Sequence, residues 1–115
     1  MAIIAHDGTF NRQRLATEIE TLKALVCDLE RLLNGEDPEQ SDLADAPLIE
    51  NWEFDRRHTT CLVGTFIAHP RLGRIVPNGI TSELWYIDPE RKYARTFSRF
   101  YRLGKTIRFR DGNRQ

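Results

Sequence analysis

The segment Asp88-Pro89-Glu90-Arg91 is the strongest local constraint on the fold. Proline fixes φ near the value required at the second position of a type I turn, and aspartate suits the first position. Residues 80–87 and 93–103, on either side, are rich in the aromatic and β-branched side chains typical of strands. The pattern therefore predicts a β-hairpin whose aromatic residues provide apolar area for packing. These aromatic residues are Trp85, Tyr86, Tyr93, Phe97, Phe100 and Tyr101.

Residues 93–103 are compatible with either a helix or a strand. In a helix, the aromatic and arginine side chains would occupy two separate faces. In a strand, the propensities are better, but the alternation breaks near Arg99-Phe100 and requires a bulge. The hairpin turn immediately before this segment favours the strand. Residues 105–110 are predicted to add an edge strand.

Three earlier segments also predict β-structure. Trp52 and Phe54 alternate with acidic residues, as in a half-buried strand. Residues 61–68 are apolar at both parities, which predicts a central strand covered on both faces, with Cys61 buried there and Cys27 buried in the helical region. Pro77-Asn78-Gly79 predicts a three-residue hairpin loop with a left-handed glycine, leading into a strand over 80–87.

The N-terminal region predicts one long helix. Asn11 can cap a helix that begins at Arg12, and Asn34-Gly35 is typical of a left-handed cap after Leu33. A short second helix is expected to end before Pro47, because a residue that precedes proline is driven out of the helical region.

The long helix carries an apolar stripe with heptad spacing. Two interpretations follow: packing within the fold, or a coiled-coil dimer. The stripe covers fewer than three heptads, and Leu25 and Leu32 widen it, so packing on a sheet is favoured. The protein is accordingly expected to be a monomer or a weak homodimer through the helix Leu15–Leu33. The stripe consists of Leu15, Ile19, Leu22, Val26, Leu29 and Leu33.

These elements predict an α+β fold in which a long N-terminal amphipathic helix packs on a small antiparallel β-sheet or partly closed barrel. The 115 residues suit a single domain, with a helical lead-in over 1–48 and an antiparallel module over 50–110. The longest early apolar run, residues 1–5, is too short for a signal peptide or a membrane span. A cytoplasmic protein with no membrane association is expected.

Charge is divided between the two halves of the chain. Residues 1–55 contain 4 basic and 13 acidic residues, whereas residues 56–115 contain 13 basic and 4 acidic ones, so the net charge of zero conceals −9 and +9. This asymmetry indicates either an oppositely charged partner or pairing between the halves within the fold.

A group of motifs in the second half resembles a known family. These motifs are Gly64…His69-Pro70-x-Leu72-Gly73, Thr81-Ser82-x-Leu84 and Ala94-Arg95-Thr96-x-Ser98-Arg99-x-Tyr101-x-Leu103-Gly104. The chain from near Leu43 resembles short proteins of alphaproteobacteria and their phages and plasmids, which form a domain family of unknown function. The resemblance implies a small β-rich module with a helical lead-in, and it implies no chemistry.

No constellation predicts catalysis. His58, Cys61 and His69 lie within twelve residues, but a structural zinc site needs four ligands, and a cysteine nucleophile needs an orienting partner. An enzyme that uses these three residues is the weakest functional hypothesis. No metal or other cofactor is expected.

Basic and aromatic side chains near the C-terminus provide the functional signal. Residues 91–115 contain nine basic residues and one acidic residue. Such a surface suits protein hot spots or single-stranded nucleic acid, unless the aromatic residues belong to the core. We expect a non-catalytic interaction protein that binds a protein complex, and that is inhibitory and carried by a phage or plasmid if the resemblance holds. A nucleic-acid binder is the alternative. The candidate binding residues are Arg95, Arg99, Arg102, Lys105, Arg108, Arg110, Trp85, Tyr93 and Tyr101.

Overall fold

A computed structural model describes residues 2–107. The chain forms two compact units. One unit contains the described residues up to Asn11 and from His58 onward, and it holds all the strands. The other unit, Arg12–Arg57, holds the helices.

The helical unit begins with α1, Arg12–Leu33, which has the predicted bounds. Gly35, at φ 82°, ends this helix in a Schellman motif: its N–H donates to the Leu32 carbonyl, and the Glu36 N–H donates to the Arg31 carbonyl. The short second helix α2 spans Gln40–Ala44. In the described part of the chain, neither helix combines the length and apolar character needed to cross a bilayer.

Two sheets form the β unit. The larger sheet has the strand order β1-β4-β5-β6, and β2 pairs with β3 in a separate antiparallel ribbon. β1 is parallel to β4, while β5 is antiparallel to both of its neighbours, β4 and β6. The predicted α+β fold, with one long helix and a mostly antiparallel sheet, is therefore confirmed. The strands are β1 Ile3–Ile4, β2 Val63–His69, β3 Gly73–Ile80, β4 Leu84–Asp88, β5 Tyr93–Thr96 and β6 Phe100–Arg102.

The predicted hairpin about Asp88-Pro89-Glu90-Arg91 connects β4 to β5. The helix alternative for residues 93–103 is wrong, because the segment is β-structure. It is not one bulged strand, however. Residues 97–99 form a turn that separates β5 from β6, so Ala94 pairs with Tyr101 across a second hairpin. The break in alternation near Arg99 marks this turn.

The predicted hairpin loop at Pro77-Asn78-Gly79 is wrong. These residues lie within β3, which pairs with β2. The register of this pairing shifts between Gly64 and Phe66. Asn78, not Gly79, has a positive φ, at 58°. Gly79 is required for a different reason: an added Cβ would lie 2.7 Å from the Phe66 ring, which covers it.

Three further expectations about β-structure need correction. Trp52 and Phe54 form no strand; their rings make an edge-to-face contact at 5.6 Å. β2 is not covered on both faces, since Phe66 is its single buried residue. Both cysteines are exposed. Apolar residues at both parities therefore did not predict burial on both faces of β2.

The expected edge strand over 105–110 does not form in the described residues of that range. Lys105, Thr106 and Ile107 follow β6 without forming a strand. Residues 108–110 lie outside the described part of the chain.

Candidate interaction surface

The register of β5 and β6 sorts their side chains onto two faces. Tyr93 pairs with Arg102, and Arg95 pairs with Phe100. Directly paired residues project to the same side of a sheet, and successive residues alternate. The four side chains therefore share one face, and the intervening residues occupy the other.

A row of aromatic rings crosses this face. Phe10 meets Tyr86 edge-on at a centroid distance of 5.5 Å, and Tyr86 stacks on Tyr93 at 5.9 Å. Tyr93 in turn lies 6.1 Å from the ring of Phe100, which is 64% exposed. These distances are typical of favourable aromatic pairs. The row thus presents a stiff apolar surface that ends at an exposed phenyl ring.

Two arginines lie beside the row. The guanidinium carbon of Arg95 is 5.2 Å from the Phe100 ring centroid, in cation–π geometry. Arg102 is exposed in β6. Neither arginine forms an ion pair with any residue that the structure describes. We name this surface, consisting of Phe10, Tyr86, Tyr93, Arg95, Phe100 and Arg102, the aromatic–arginine face.

The Tyr86 phenol of the row stays protonated at neutral pH. Burial, and then a side-chain hydrogen bond with Tyr93, raise the pKa of the Tyr86 phenol above its ordinary value. The Tyr86 phenol is therefore an uncharged hydrogen-bonding group of this face, and the arginines supply its positive charge.

A buried aspartate attaches the N-terminal turn that precedes Phe10. Asp88 is fully buried, and its carboxylate accepts N–H bonds from Asp7 at 3.1 Å, Gly8 at 2.6 Å and Arg91 at 3.2 Å. Burial acts to raise the pKa of Asp88, but these donors and the Arg91 charge lower it overall. Gly8 has φ 85°, and the Arg91 guanidinium covers it closely. Asp88 thus does more than form a turn, since it holds a segment 81 residues away.

The opposite side of the β5–β6 hairpin is covered by the β2–β3 ribbon. Tyr101 lies 5.4 Å from Phe66 and 6.1 Å from His69, and Phe66 stacks on His69 at 5.7 Å. Ala94 and Thr96 are fully buried. This side therefore contributes to the core.

His69 is held as a neutral acceptor in the β2–β3 turn. Its Nδ1 accepts the N–H groups of Arg71 and Leu72, both at 3.1 Å, so the proton of the neutral ring resides on Nε2. Burial, followed by the charges of Arg99 and Arg71, lowers the pKa of His69. These contacts give His69 a structural function.

The two hydroxyl-rich motifs meet at the β5–β6 turn. Ser82 Oγ lies 2.9 Å from Ser98 Oγ and accepts the Ser98 N–H at 3.2 Å. Thr96 Oγ1 donates to the Arg99 carbonyl at 3.2 Å and accepts the Arg99 N–H at 3.3 Å. The hydroxyl groups thus bond mainly to one another and to the backbone, and they close this turn.

The predicted binding residues separate into groups. Tyr93, Arg95 and Arg102 come together on the aromatic–arginine face, whereas Tyr101 lies on the opposite side. Arg99 is also apart: its Nε is buried and has no hydrogen-bond partner among the described residues. The other four candidates lie elsewhere on the described chain or beyond it. Trp85 is half-buried in β4, Lys105 is exposed after β6, and Arg108 and Arg110 lie outside the described residues.

His58, Cys61 and His69, the residues of the weakest hypothesis, lie in different environments. His58 and Cys61 are exposed, while His69 participates in its turn. Within residues 2–107, no group of three or more histidine, cysteine or acidic residues could hold a metal ion.

Sequence reasoning missed three members of the face: Phe10, Tyr86 and Phe100. A turn recognised at residues 97–99 would have paired residue 93 with 102 and residue 95 with 100. This pairing would have placed Phe100 on the same face as Tyr93 and Arg95. Phe10 had no comparable signal, because its position depends on the hydrogen bonds that the Asp7 and Gly8 N–H groups donate to the distant Asp88.

The chain belongs to a family of unknown function (DUF6634), whose model matches residues 16–113. The match confirms an uncharacterised domain family and extends the resemblance, which began near Leu43, into α1 and past Gly104. No curated protein and no solved structure matches the chain.

Proposed function

We propose that this chain is a small non-catalytic interaction protein whose aromatic–arginine face binds an acidic surface of another protein. One observation carries the proposal: an exposed phenyl ring continues a packed aromatic row beside arginines without ion-pair partners in the described chain. Aromatic and arginine side chains dominate protein-interface hot spots. Because the row is already packed, little side-chain freedom is lost on binding.

Charge favours a protein partner over nucleic acid. Two arginines provide a local positive site, but residues 1–55 carry a net charge of −9 that repels a continuous polyanion. A protein with a compact acidic patch can match the face and avoid that repulsion. Aromatic rings beside arginines also suit stacked bases, so nucleic acid is a defined outcome of the test.

Binding without chemistry is sufficient for the proposed role. A protein of this size acts by occupying a surface of its partner complex, which blocks or redirects that complex. We place this activity in the cytoplasm and include an inhibitory role on behalf of a phage or plasmid in the proposal.

Affinity capture from a cell lysate, with and without nuclease, tests the proposal. We compare the wild type with Arg95→Glu/Arg102→Glu, in which both arginines of the face are reversed. Arg56→Glu/Arg57→Glu is the matched control, because it changes the charge equally at exposed positions outside the face. We expect a nuclease-resistant protein partner that the first variant loses and the control retains. Equal capture by both variants would contradict the proposal.

Titration with random single-stranded oligonucleotides separates the two classes of partner. The proposal predicts weak binding at physiological salt. Submicromolar binding that weakens steeply with salt, with a log–log slope of about −0.7 per phosphate contact, would establish the nucleic-acid alternative instead.

A further inference from the structure

The apolar stripe of α1 is not used by the proposed function. All residues of α1 are described and none is buried. Leu25, Val26 and Leu29 are 51%, 52% and 53% exposed, and Leu33 is 85% exposed. So much apolar surface on one helix is typical of an association site.

We propose that two copies of α1 pair as a parallel, in-register, two-stranded coiled coil. The heptad residues support this arrangement, because β-branched residues at a with leucine at d favour parallel dimers. Ile19 and Val26 occupy a positions, while Leu22 and Leu29 occupy d positions. Leu15 at d and Leu33 at a complete the stripe.

A shallow groove on α1 matches the packing of such a dimer. In a coiled coil, each a or d side chain inserts into a hole formed by four residues of the facing helix. The lining of the groove on α1 includes residues at an a, a d, an e and the next a position. In a parallel dimer, these four positions form the hole that accepts a leucine at a d position of the facing helix. Leu22 of the second copy would therefore fit there. The lining residues are Ile19, Leu22, Lys23, Val26, Cys27 and Glu30.

The flanking charges specify the orientation. Glu18 is at g and Lys23 at the following e position, so in a parallel dimer Glu18 of each copy faces Lys23 of the other. In an antiparallel dimer centred on the same stripe, the two Lys23 side chains would face each other. Charge complementarity thus selects the parallel pair.

The dimer is expected to be weak. The helix has 22 residues and its apolar stripe covers fewer than three heptads, which is near the lower limit for a stable pair. Leu25, at a g position, adds apolar contact with the stem of Glu30 in the second copy. Association should therefore depend on concentration, in the micromolar range.

The first experiment measures the mass of the full-length chain by light scattering at about 1–200 µM. We expect a monomer–dimer equilibrium. Glu18→Lys and Lys23→Glu should each raise the dimer dissociation constant roughly tenfold at low salt, since each makes both interhelical pairs repulsive. The double variant Glu18→Lys/Lys23→Glu should restore the dissociation constant of the wild type. Both substitutions are at exposed or half-exposed positions, so folding should persist.

The second experiment reports orientation by disulfide formation. Ile19→Cys in a Cys27→Ser/Cys61→Ser background should oxidise readily to a covalent dimer, because residue 19 faces itself only in the parallel register. In the antiparallel dimer, two such cysteines would be about 15 Å apart along the helix axis. Thr17→Cys in the same background is the control, because residue 17 lies at an f position on the outside of the pair. It should migrate as a monomer in a denaturing gel without reducing agent.

A monomer across the whole concentration range, or a trimer or tetramer, would overturn the inference. So would Glu18→Lys and Lys23→Glu variants that dimerise as well as the wild type, or equal crosslinking at positions 17 and 19. Since no residue of the aromatic–arginine face is changed, failure here leaves the proposed function unaffected.

Discussion

The two sides of the β5–β6 hairpin consist of alternating residues of the same two strands, yet their environments differ. On one side, Tyr101 packs against Phe66 and His69, beside the fully buried Ala94 and Thr96. On the other side, Phe100 remains 64% exposed under the Arg95 guanidinium. The comparison shows that aromatic content alone does not identify core residues, because the covering layer determines which side contributes stability and which side is available to a partner.

The largest effect on stability should come from Asp88. Asp88→Ala leaves the Gly8 and Arg91 N–H groups without this acceptor and removes one of the two acceptors of the Asp7 N–H, so the turn that positions Phe10 loses most of its attachment. We expect the melting temperature to fall by at least about 10 °C. Glu90→Gln is the control, because Glu90 is exposed although it also accepts the Asp7 N–H. An equal loss for both variants would show that burial of the carboxylate is unimportant.

Two neighbouring aromatic residues should contribute unequally to stability. Tyr101→Ala removes the contacts with Phe66 and His69 and should lower the free energy of unfolding by about 1–3 kcal/mol. Phe100→Ala removes a largely exposed ring and should cost less than about 1 kcal/mol, while it weakens partner binding. Urea denaturation of both variants measures the difference. A larger loss for Phe100→Ala would reverse the assignment of the two sides.

A matched pair of glycines tests the covered side. Gly79→Ala places a Cβ 2.7 Å from the Phe66 ring and should destabilise the fold by about 1–2 kcal/mol through overpacking. Gly64 is its cross-strand partner, with nothing within 4 Å of an added Cβ. Gly64→Ala should therefore be within about 0.5 kcal/mol of the wild type. Thermal denaturation compares the two variants, and equal values would contradict the close packing of Phe66.

A smaller effect should appear in the pH dependence. The pKa of His69 is lowered in the folded state, so the unfolded chain binds the proton more readily. The corresponding stability is present above the ordinary histidine pKa near 6.5 and is lost as pH falls through the folded value. Between pH 7.5 and pH 5 the melting temperature should fall by about 2–5 °C. His69→Asn keeps a turn acceptor without titrating, and it should flatten this part of the profile. His58→Asn should not.

Local sequence signals predicted the elements whose causes are local. The bounds of α1 follow from Asn34-Gly35 at its end, and the β4–β5 hairpin follows from Asp88-Pro89. Long-range contacts were not predictable in this way. The docking of Asp7 and Gly8 on Asp88 and the covering of Gly79 by Phe66 join segments for which no sequence pattern specifies the pairing.

The candidate site was predicted in composition and only partly in geometry. A basic and aromatic segment was evident, but recognising the turn at 97–99 was necessary to separate Arg95 and Arg102 from Arg99 and Tyr101. A strand shifted by one residue presents its opposite set of side chains, so one unrecognised turn was enough to mix the two sides.

The most direct test of the central claim is the dissociation constant of the captured partner for two single charge reversals. Arg95→Glu changes the aromatic–arginine face, and Arg74→Glu changes an exposed position in β3. We predict at least a roughly tenfold loss of affinity for Arg95→Glu and a change within about twofold for Arg74→Glu, measured by calorimetry at physiological salt. Equal losses, or a larger loss for Arg74→Glu, would contradict the claim that this face is the binding surface.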